Sequence, residues 1–387
     1  ERRKQVMGED NYITYEDLPL NENYVQQIEN LGIKIENKLK WFNAVSAYLT
    51  DSQLEKLKKI SSVEKIERVH IFKSQPEIKD YNGQKFNTIP KINSTTTLNY
   101  GPSFTQAELS DIPAVHDLGI KGTGVYVGIL DNGFSWQSHI SLQNLKVMKE
   151  YDYVEKDNVA QNQSGHGQAV FSIMAGNDPG KIIGPAYDAQ FYLAKTENDA
   201  SETHAEEDNY AAALQDMEGA GIQITSSSLG YATEFTNGDA NYTFADMNGQ
   251  TTIVVKALNL SFDRGVSTFT AAGNERGKSW NHIVSPADAF NVITVGSVTS
   301  SNLISSFSSP GPTSDGRIKP EIVAMGSSVY HADPNFGYSF GNGTSYATPI
   351  AAGIAALLKS CWPHLTNVQI RKIFLESGDN TASPNND

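Results

Sequence analysis

The segment GVYVGIL, residues 124–130, is a continuous apolar run with no polar alternation. A strand that is apolar on both faces must be covered on both, which is the environment of a parallel strand in a sheet flanked by helices. AQFYLAKT (189–196), IQITSSSLG (222–230), VSTFTAAGN (266–274) and NVITVGSV (291–298) are further strand candidates, and helical stretches such as EEDNYAAALQDMEGAG (206–221) separate most of them. Strands alternating with helices imply an α/β fold, a doubly wound and mainly parallel sheet with ligands at the carboxyl ends of its strands. No internal repeat or low-complexity block interrupts this pattern.

The α/β pattern begins only near residue 102, and a chain of 387 residues has room for a second unit. NENYVQQIENLG, from residue 21, has an Asn cap, an amphipathic body and a closing glycine, the marks of a short helix. IKIENKLKWFNAVSAYL follows as a strand pair with a bend, TDSQLEKLKKI as a capped helix, and SVEKIERVHIF as an imperfectly alternating strand through Val63, Ile66, Val69 and Ile71. One more strand at the front would complete a split βαβ sheet. Residues 76–101 are Asn- and Thr-rich, carry Pro90 and lack periodicity, so they read as an exposed linker open to proteolysis. The expected organisation is a small α+β unit over 1–75, a linker over 76–101 and the large α/β domain over 102–387.

Charge and composition exclude some classes. Residues 1–75 hold 12 Lys+Arg and 12 Asp+Glu, so the whole net charge of −14 lies in 76–387. So acidic a surface argues against nucleic acid and against an anionic membrane as partners. No apolar run approaches the roughly 18 residues of a membrane span, and the opening ERRKQVMGED has no apolar core of a signal peptide. A single cysteine, Cys361, rules out an intrachain disulfide and reads as a packing residue near a helix end. His139, His282 and His364 have no partner visible in the sequence and read as packing or surface residues.

Three short segments carry chemistry. ILDNG puts Asp131 directly after the first apolar strand, QSGHGQAV sets His166 between two glycines, and GNGTSYATPIAAGIAALL places Ser345 before an alanine-rich helix. Pro349 fits a first helical turn, which puts Ser345 at or just before the helix start. Each residue has a plain reading: an Asx turn, a glycine turn, a helix cap. Together they are also the three types that serine hydrolysis needs. One is a nucleophile, one a base that takes its proton, and one a carboxylate that fixes the base's tautomer. The order Asp, His, Ser is one of the known chain orders for that constellation.

From about Tyr100 to the C-terminus the chain resembles the subtilisin-like serine proteases. ILDNGF, GHGQAV and NGTSYATP match the three family boxes, and AAGNE matches a fourth. The resemblance implies a triad of Asp131, His166 and Ser345, with Asn274 completing an oxyanion hole. Ser228, Leu229 and Gly230 would pair with extended peptide, and Ala271, Ala272 and Gly273 would line a roomy pocket for the residue before the scissile bond. Residues 1–75, through KWFNAVSAYLTDSQLEKLKKISSVEKIERV above all, resemble the family's inhibitory propeptide, with its first strand missing before Glu1. The strand ending near Ile71-Phe72-Lys73 would lead into the cleft. The C-terminal SPNND stops before the Tyr- and Gly-rich closing segment of relatives.

The function implied is a secreted serine endopeptidase made as a zymogen. Its partners are protein or peptide substrates and its own propeptide, with no nucleic acid and no membrane, and it is expected to be a monomer. No cofactor is needed for the chemistry. Structural calcium is compatible with the resemblance but unsupported by these residues, because HISL offers Ser141 where relatives use an aspartate. Gln168 stands where a small hydroxyl residue is usual. Glu202, His204 and Glu206 in ETHAEED read as an acid-rich first turn of a helix rather than as a metal site, so no metal ligand is assigned. A chain plugged permanently by its own propeptide, acting as a binding module, is the alternative from a different class. An α/β esterase would require a G-x-S-x-G elbow, which Ser345 lacks.

Overall fold

The structure, a computed structural model, describes residues 1–68, 96–162, 164–199, 204–233, 241–334, 336–378 and 384–385. The N-terminal unit contains α1 (Arg2–Met7), α2 (Glu22–Glu29), β1 (Ile35–Leu39), β2 (Ala44–Ala47) and α3 (Asp51–Leu57). The large domain runs through α4 (Phe104–Glu108), α5 (Ile112–Asp117), β3 (Tyr126–Asp131), β4 (Lys146–Asp152), α6 (His166–Ala175), β5 (Asn177–Asp178), β6 (Ile182–Ile183), β7 (Gln190–Lys195), α7 (His204–Gly219) and β8 (Ile224–Ser227). It continues with α8 (Ile253–Asp263), β9 (Ser267–Ala271), β10 (Ile293–Val298), β11 (Ile322–Met325), β12 (Val329–Ala332), β13 (Tyr338–Gly341), α9 (Thr344–Cys361) and α10 (Asn367–Ser377).

Seven strands form one all-parallel sheet in the order β11-β10-β9-β8-β3-β7-β4. All five strand candidates are present. Helices cover both faces, as continuous apolar runs require: α6, α9 and α10 pack on one side, α7 and α8 on the other. Alternation along β3 assigns its residues to faces. Val127 and Ile129 enter the core with α6 and α9, while Leu130 enters the core with α7 and α8. A β-carbon on Gly128 would come within 2.5 Å of Met217 Sδ, so glycine there lets α7 lie close to the sheet. Asp131 shares the parity of Val127 and Ile129, and so points to the α6 side.

In the N-terminal unit Asn21 caps α2, accepting from Asn23 N at 3.0 Å, and Thr50 and Gln53 form a capping box at the start of α3. Between β1 and β2 the chain bends through a single 3₁₀ turn, with Asn43 in the left-handed region at φ 48°, a conformation asparagine tolerates. The third strand expected over 63–71 is not formed in its described part: residues 63–68 join no ladder. Val69, Ile71, Phe72, Lys73 and all but the last residues of the linker lie outside the described residues. The first described element of the unit is the short helix α1. The β1–β2 hairpin lies on α7: Leu39 and Trp41 join Tyr210, Ala211 and Leu214 in one apolar cluster. Asn37 Nδ2 donates to Asn209 Oδ1 at 3.0 Å, and Trp41 N donates to Gln215 Oε1 at 3.3 Å.

This docking covers Asp208, which is 8% exposed. Burial and then the neighbouring Glu207 carboxylate push its carboxyl up to about 7, opposed by a hydrogen bond from Ser46 and by His204 and Lys156. Glu36, Asp152 and Lys34 are the other charges acting on Lys156. A carboxyl whose pKa is raised only while covered binds its proton in the docked state. Docking is therefore favoured at low pH and weakens as pH rises from the ordinary carboxylate range through about 7. One linked proton changes the affinity by at most about tenfold per pH unit. Titrating affinity of the two halves between pH 4 and 8 checks this, and Asp208→Asn should flatten the slope.

Two readings of the sequence need correction. Helix α9 begins at Thr344, so Ser345 is its second residue, and Pro349 lies inside the helix rather than in its first turn. The Pro349 nitrogen has no hydrogen for the Ser345 carbonyl four residues back. Ser228 Oγ donates to that carbonyl instead, at 2.8 Å. Cys361, read as packing, is the exposed last residue of α9.

Candidate active site

The candidate residues gather where β3, β8 and β9, three adjacent strands, reach their carboxyl ends. Asp131 closes β3 and is fully buried. His166 opens α6, and its Nδ1 lies 2.7 Å from Asp131 Oδ1. The neighbouring Gly167 makes this approach possible, since a β-carbon there would stand 2.3 Å from Gly133 O and 3.1 Å from Asp131 Cβ. Burial alone would lower the His166 pKa; the charge and hydrogen bond of Asp131 and the charge of Asp199 outweigh it, so the net shift is upward.

Asn132 and Asp199 carry no role in the sequence reading, yet they brace this pair. Asn132 N donates to Asp131 Oδ1 at 2.8 Å, and its side-chain Oδ1 accepts from Gly167 N at 3.1 Å. Its Nδ2 donates to Asp199 Oδ1 at 3.0 Å, and Asn162 Nδ2 donates to Asp199 Oδ2 at 2.6 Å. In sequence, Asn132 looks like half of an Asn-Gly turn, and Asp199 lies far along the chain in the segment after β7, so neither announces itself.

Ser345 and Asn274 meet around Gly343. A β-carbon on Gly343 would stand 3.6 Å from Ser345 N, 3.7 Å from Asn274 Nδ2 and 3.8 Å from Ser345 Cβ. Two N–H donors thus flank one point beside the serine. The Asn274 amide is oriented by Thr344, whose backbone N donates to Asn274 Oδ1 at 2.9 Å and whose hydroxyl donates to it at 3.2 Å. Thr344 Oγ1 in turn accepts from Gly273 N at 3.1 Å. Ser345 Oγ donates to Ser228 O at 3.2 Å and makes no hydrogen bond to His166 in this rotamer. The serine is not a helix cap; Gly343 occupies that position.

Ser228 follows β8 directly. Leu229 and Gly230 make no backbone hydrogen bond to any described residue, which leaves an edge for an extended peptide to add as a strand. Ala271 ends β9 and is nearly buried, Ala272 packs with Ile283 and Ala287, and Gly273 follows at φ 106°. These small residues stand beside Asn274. Gln168 is buried and donates through Nε2 to Asp333 O at 3.0 Å.

At the position where calcium would be expected, Ser141 Oγ pairs with His139 Nδ1 at 2.8 Å, and His139 Nε2 reaches Gly337 O at 2.8 Å. His139 thus has partners the sequence did not reveal. His204 bonds to Glu207, and Glu206 accepts from Asn198 N at 2.9 Å, while Glu202 lies outside the described residues. Among the described residues no group of three or more His, Cys, Asp or Glu could hold a metal ion, and no helix is long and apolar enough to cross a membrane.

Comparison with known proteins gives two family matches. Residues 122–387 match the subtilase family, and residues 1–85 match the peptidase S8 propeptide domain of Bacteroidota. Subtilisin E of Bacillus subtilis (strain 168) is 30% identical over 350 residues, 89% of this chain and 77% of the relative. Subtilisin BL of Lederbergia lenta is 30% identical over 276 residues, 70% of this chain and 90% of the relative. A crystal structure of a cold adapted subtilisin-like serine proteinase superposes with a TM-score of 0.55 at 25% identity, covering 69% of this chain and 88% of that one.

Proposed function

Because the chain belongs to the subtilase family, as a subtilisin-like serine peptidase with its propeptide domain in the same chain, we propose that it is a secreted, monomeric endopeptidase made as a zymogen. Asp131, His166 and Ser345 form its triad. Ser345 Oγ turns from Ser228 O toward His166, gives its proton to Nε2 and bonds to the scissile carbonyl carbon. The resulting oxyanion accepts from Ser345 N and Asn274 Nδ2. Collapse breaks the C–N bond, and His166 returns the proton to the leaving amine. Water then repeats the sequence on the acyl-enzyme. Peptide pairs with Ser228, Leu229 and Gly230, and the residue before the scissile bond enters beside Ala271, Ala272 and Gly273. The chemistry needs no cofactor.

The observation that carries this reading is that Ser345 N and Asn274 Nδ2 lie within 3.7 Å of one point beside Ser345, with the His166–Asp131 pair at 2.7 Å at the end of β3. The test is mass spectrometry of the purified chain over time. Wild type should shorten by a cut in the linker and acquire activity on an unfolded protein. A chain that stays intact, and hydrolyses nothing even after the linker is cut in trans, would favour the plugged binding module.

The pH profile supplies a second check. The base must be neutral to take a proton, and the net pull on His166 is upward. The acid limb of kcat/KM should therefore be centred above the ordinary histidine value of ~6.5, with activity lost as pH falls through it. Asp199→Asn should move the limb to lower pH. A limb at or below ~6 in the wild type would contradict the assignment.

A further inference from the structure

The feet of α7 and α8, at the opposite end of these helices from the cleft, hold a partly buried charge cluster of Arg2, Arg3, Asp17, Glu218 and Arg264. Arg2 Nε donates to Arg264 O at 3.0 Å and its Nη2 to Glu218 O at 3.1 Å; the same guanidinium also bonds to Ile222 O and the Glu218 carboxylate. The three carbonyls come from the ends of α7 and α8 and the turn after α7, where helices leave acceptors without internal partners and favour cations. Arg3 Nε donates to Glu218 Oε1 at 2.8 Å, its Nη2 pairs with Oε2, and its Nη1 reaches Asp17 Oδ2 at 2.7 Å. Asp17 Oδ1 accepts from Arg264 Nε at 3.2 Å, and Arg264 Nη2 donates to Thr14 Oγ1 at 2.9 Å beneath the Trp41 ring.

The site is built for this occupant. The Glu218 side chain is 2% exposed, and Gly265 leaves room for the Arg2 stem, since a β-carbon there would stand 2.8 Å from Arg2 Cγ. Burial would raise the Glu218 pKa, but the two arginines hold it below the ordinary range. Helix α7 rises about 1.5 Å per residue, so its foot lies roughly 20 Å from the end that meets the cleft.

We propose that the feet of α7 and α8 form a guanidinium-binding site, separate from the catalytic cleft, that retains the N-terminal unit on the catalytic domain after the chain between them is cut. This rests on the zymogen reading above. Its ligand class is a paired-arginine peptide segment, here residues 2–3 of the same chain, and it supplies a share of the affinity between the two parts that does not depend on the cleft. Leaving the cleft does not free the N-terminal unit while Arg2 and Arg3 remain seated.

The test uses full-length Ser345→Ala with a recognition sequence for a site-specific protease substituted within residues 80–86. After cutting at that sequence, the affinity of the two halves is measured by dilution and gel filtration at pH 7. The halves should stay together, and Arg2→Gln/Arg3→Gln should weaken them about 10²-fold or more, because it leaves Glu218 buried without a counter-charge. Glu218→Gln on the catalytic side should weaken them comparably. Dissociation of the parent on cutting, or affinities within threefold of the parent in both variants, would overturn the proposal. So would a lowered catalytic-domain melting temperature in Glu218→Gln with affinity unchanged, which would mark the cluster as a folding element only. Since Ser345→Ala is used throughout, these outcomes are independent of whether the wild type hydrolyses peptides.

Discussion

Ser345→Ala is expected to remain full length and to lose kcat by roughly 10⁶-fold, a magnitude carried over from the loss of the nucleophile in a subtilisin, the same family. The substitution removes one oxygen at the second residue of α9, where Ser345 Oγ makes a single hydrogen bond, to Ser228 O. The helix keeps its Gly343 start and the Ser228 bond to the Ser345 carbonyl, so the melting temperature should hardly move. Loss of turnover with an unchanged melting curve separates a chemical role from a structural one. A variant that retains more than about 1% of activity, or still cuts its own linker, would remove Ser345 from the mechanism.

Asn274→Ala is expected to lower kcat by about 10²–10³-fold with little change in KM. This size is again that known for the corresponding asparagine of a subtilisin. The physical basis, under the proposed mechanism, is that Asn274 Nδ2 bonds to charge that develops only in the transition state. The amide's oxygen is held by Thr344 N at 2.9 Å, which fixes which end of the side chain faces that charge. Thr344→Val keeps that backbone donor and loses the hydroxyl contact, so its effect should be much smaller. Steady-state kinetics on one peptide substrate read both variants. A change confined to KM would place Asn274 in ground-state binding instead.

The strands easiest to read in the sequence were those buried on both faces, where continuous apolar runs leave one interpretation. The two edge strands were missed. KVMKEYD, which forms β4, pairs with β7 alone and exposes Lys146 and Met148; its charges look like a loop unless the free edge is known. IVAM, β11, is four residues long at the other edge. Helix α1 was invisible for a related reason: RRKQVM buries no residue, and its placement comes from ion pairs with residues more than two hundred positions away. At the site, Asp131, His166, Ser345 and Asn274 stood out because they sit in family motifs. Asn132 and Thr344 sit inside the same motifs, but their contacts, like those of Asp199, show only in distances that motif spacing does not encode. The start of α9 was misplaced because Pro349 normally signals a first turn, and nothing in the sequence shows that Ser228 supplies the missing donor.

The strand order has a kinetic consequence. Central strand β3 pairs with β7, about sixty residues later, and with β8, about a hundred residues later, and no two neighbours in the sheet can close through a tight turn. Every ladder therefore requires a long loop to close before any pairing energy is returned, the condition under which folding is slow. The β1–β2 hairpin, by contrast, is local, and it presents Leu39 and Trp41 to α7. The N-terminal unit thus offers α7 a surface whose own pairing closes locally. The same long closures stand between the unfolded sheet and its return, so refolding of the large domain is expected to be slow compared with closure of the hairpin.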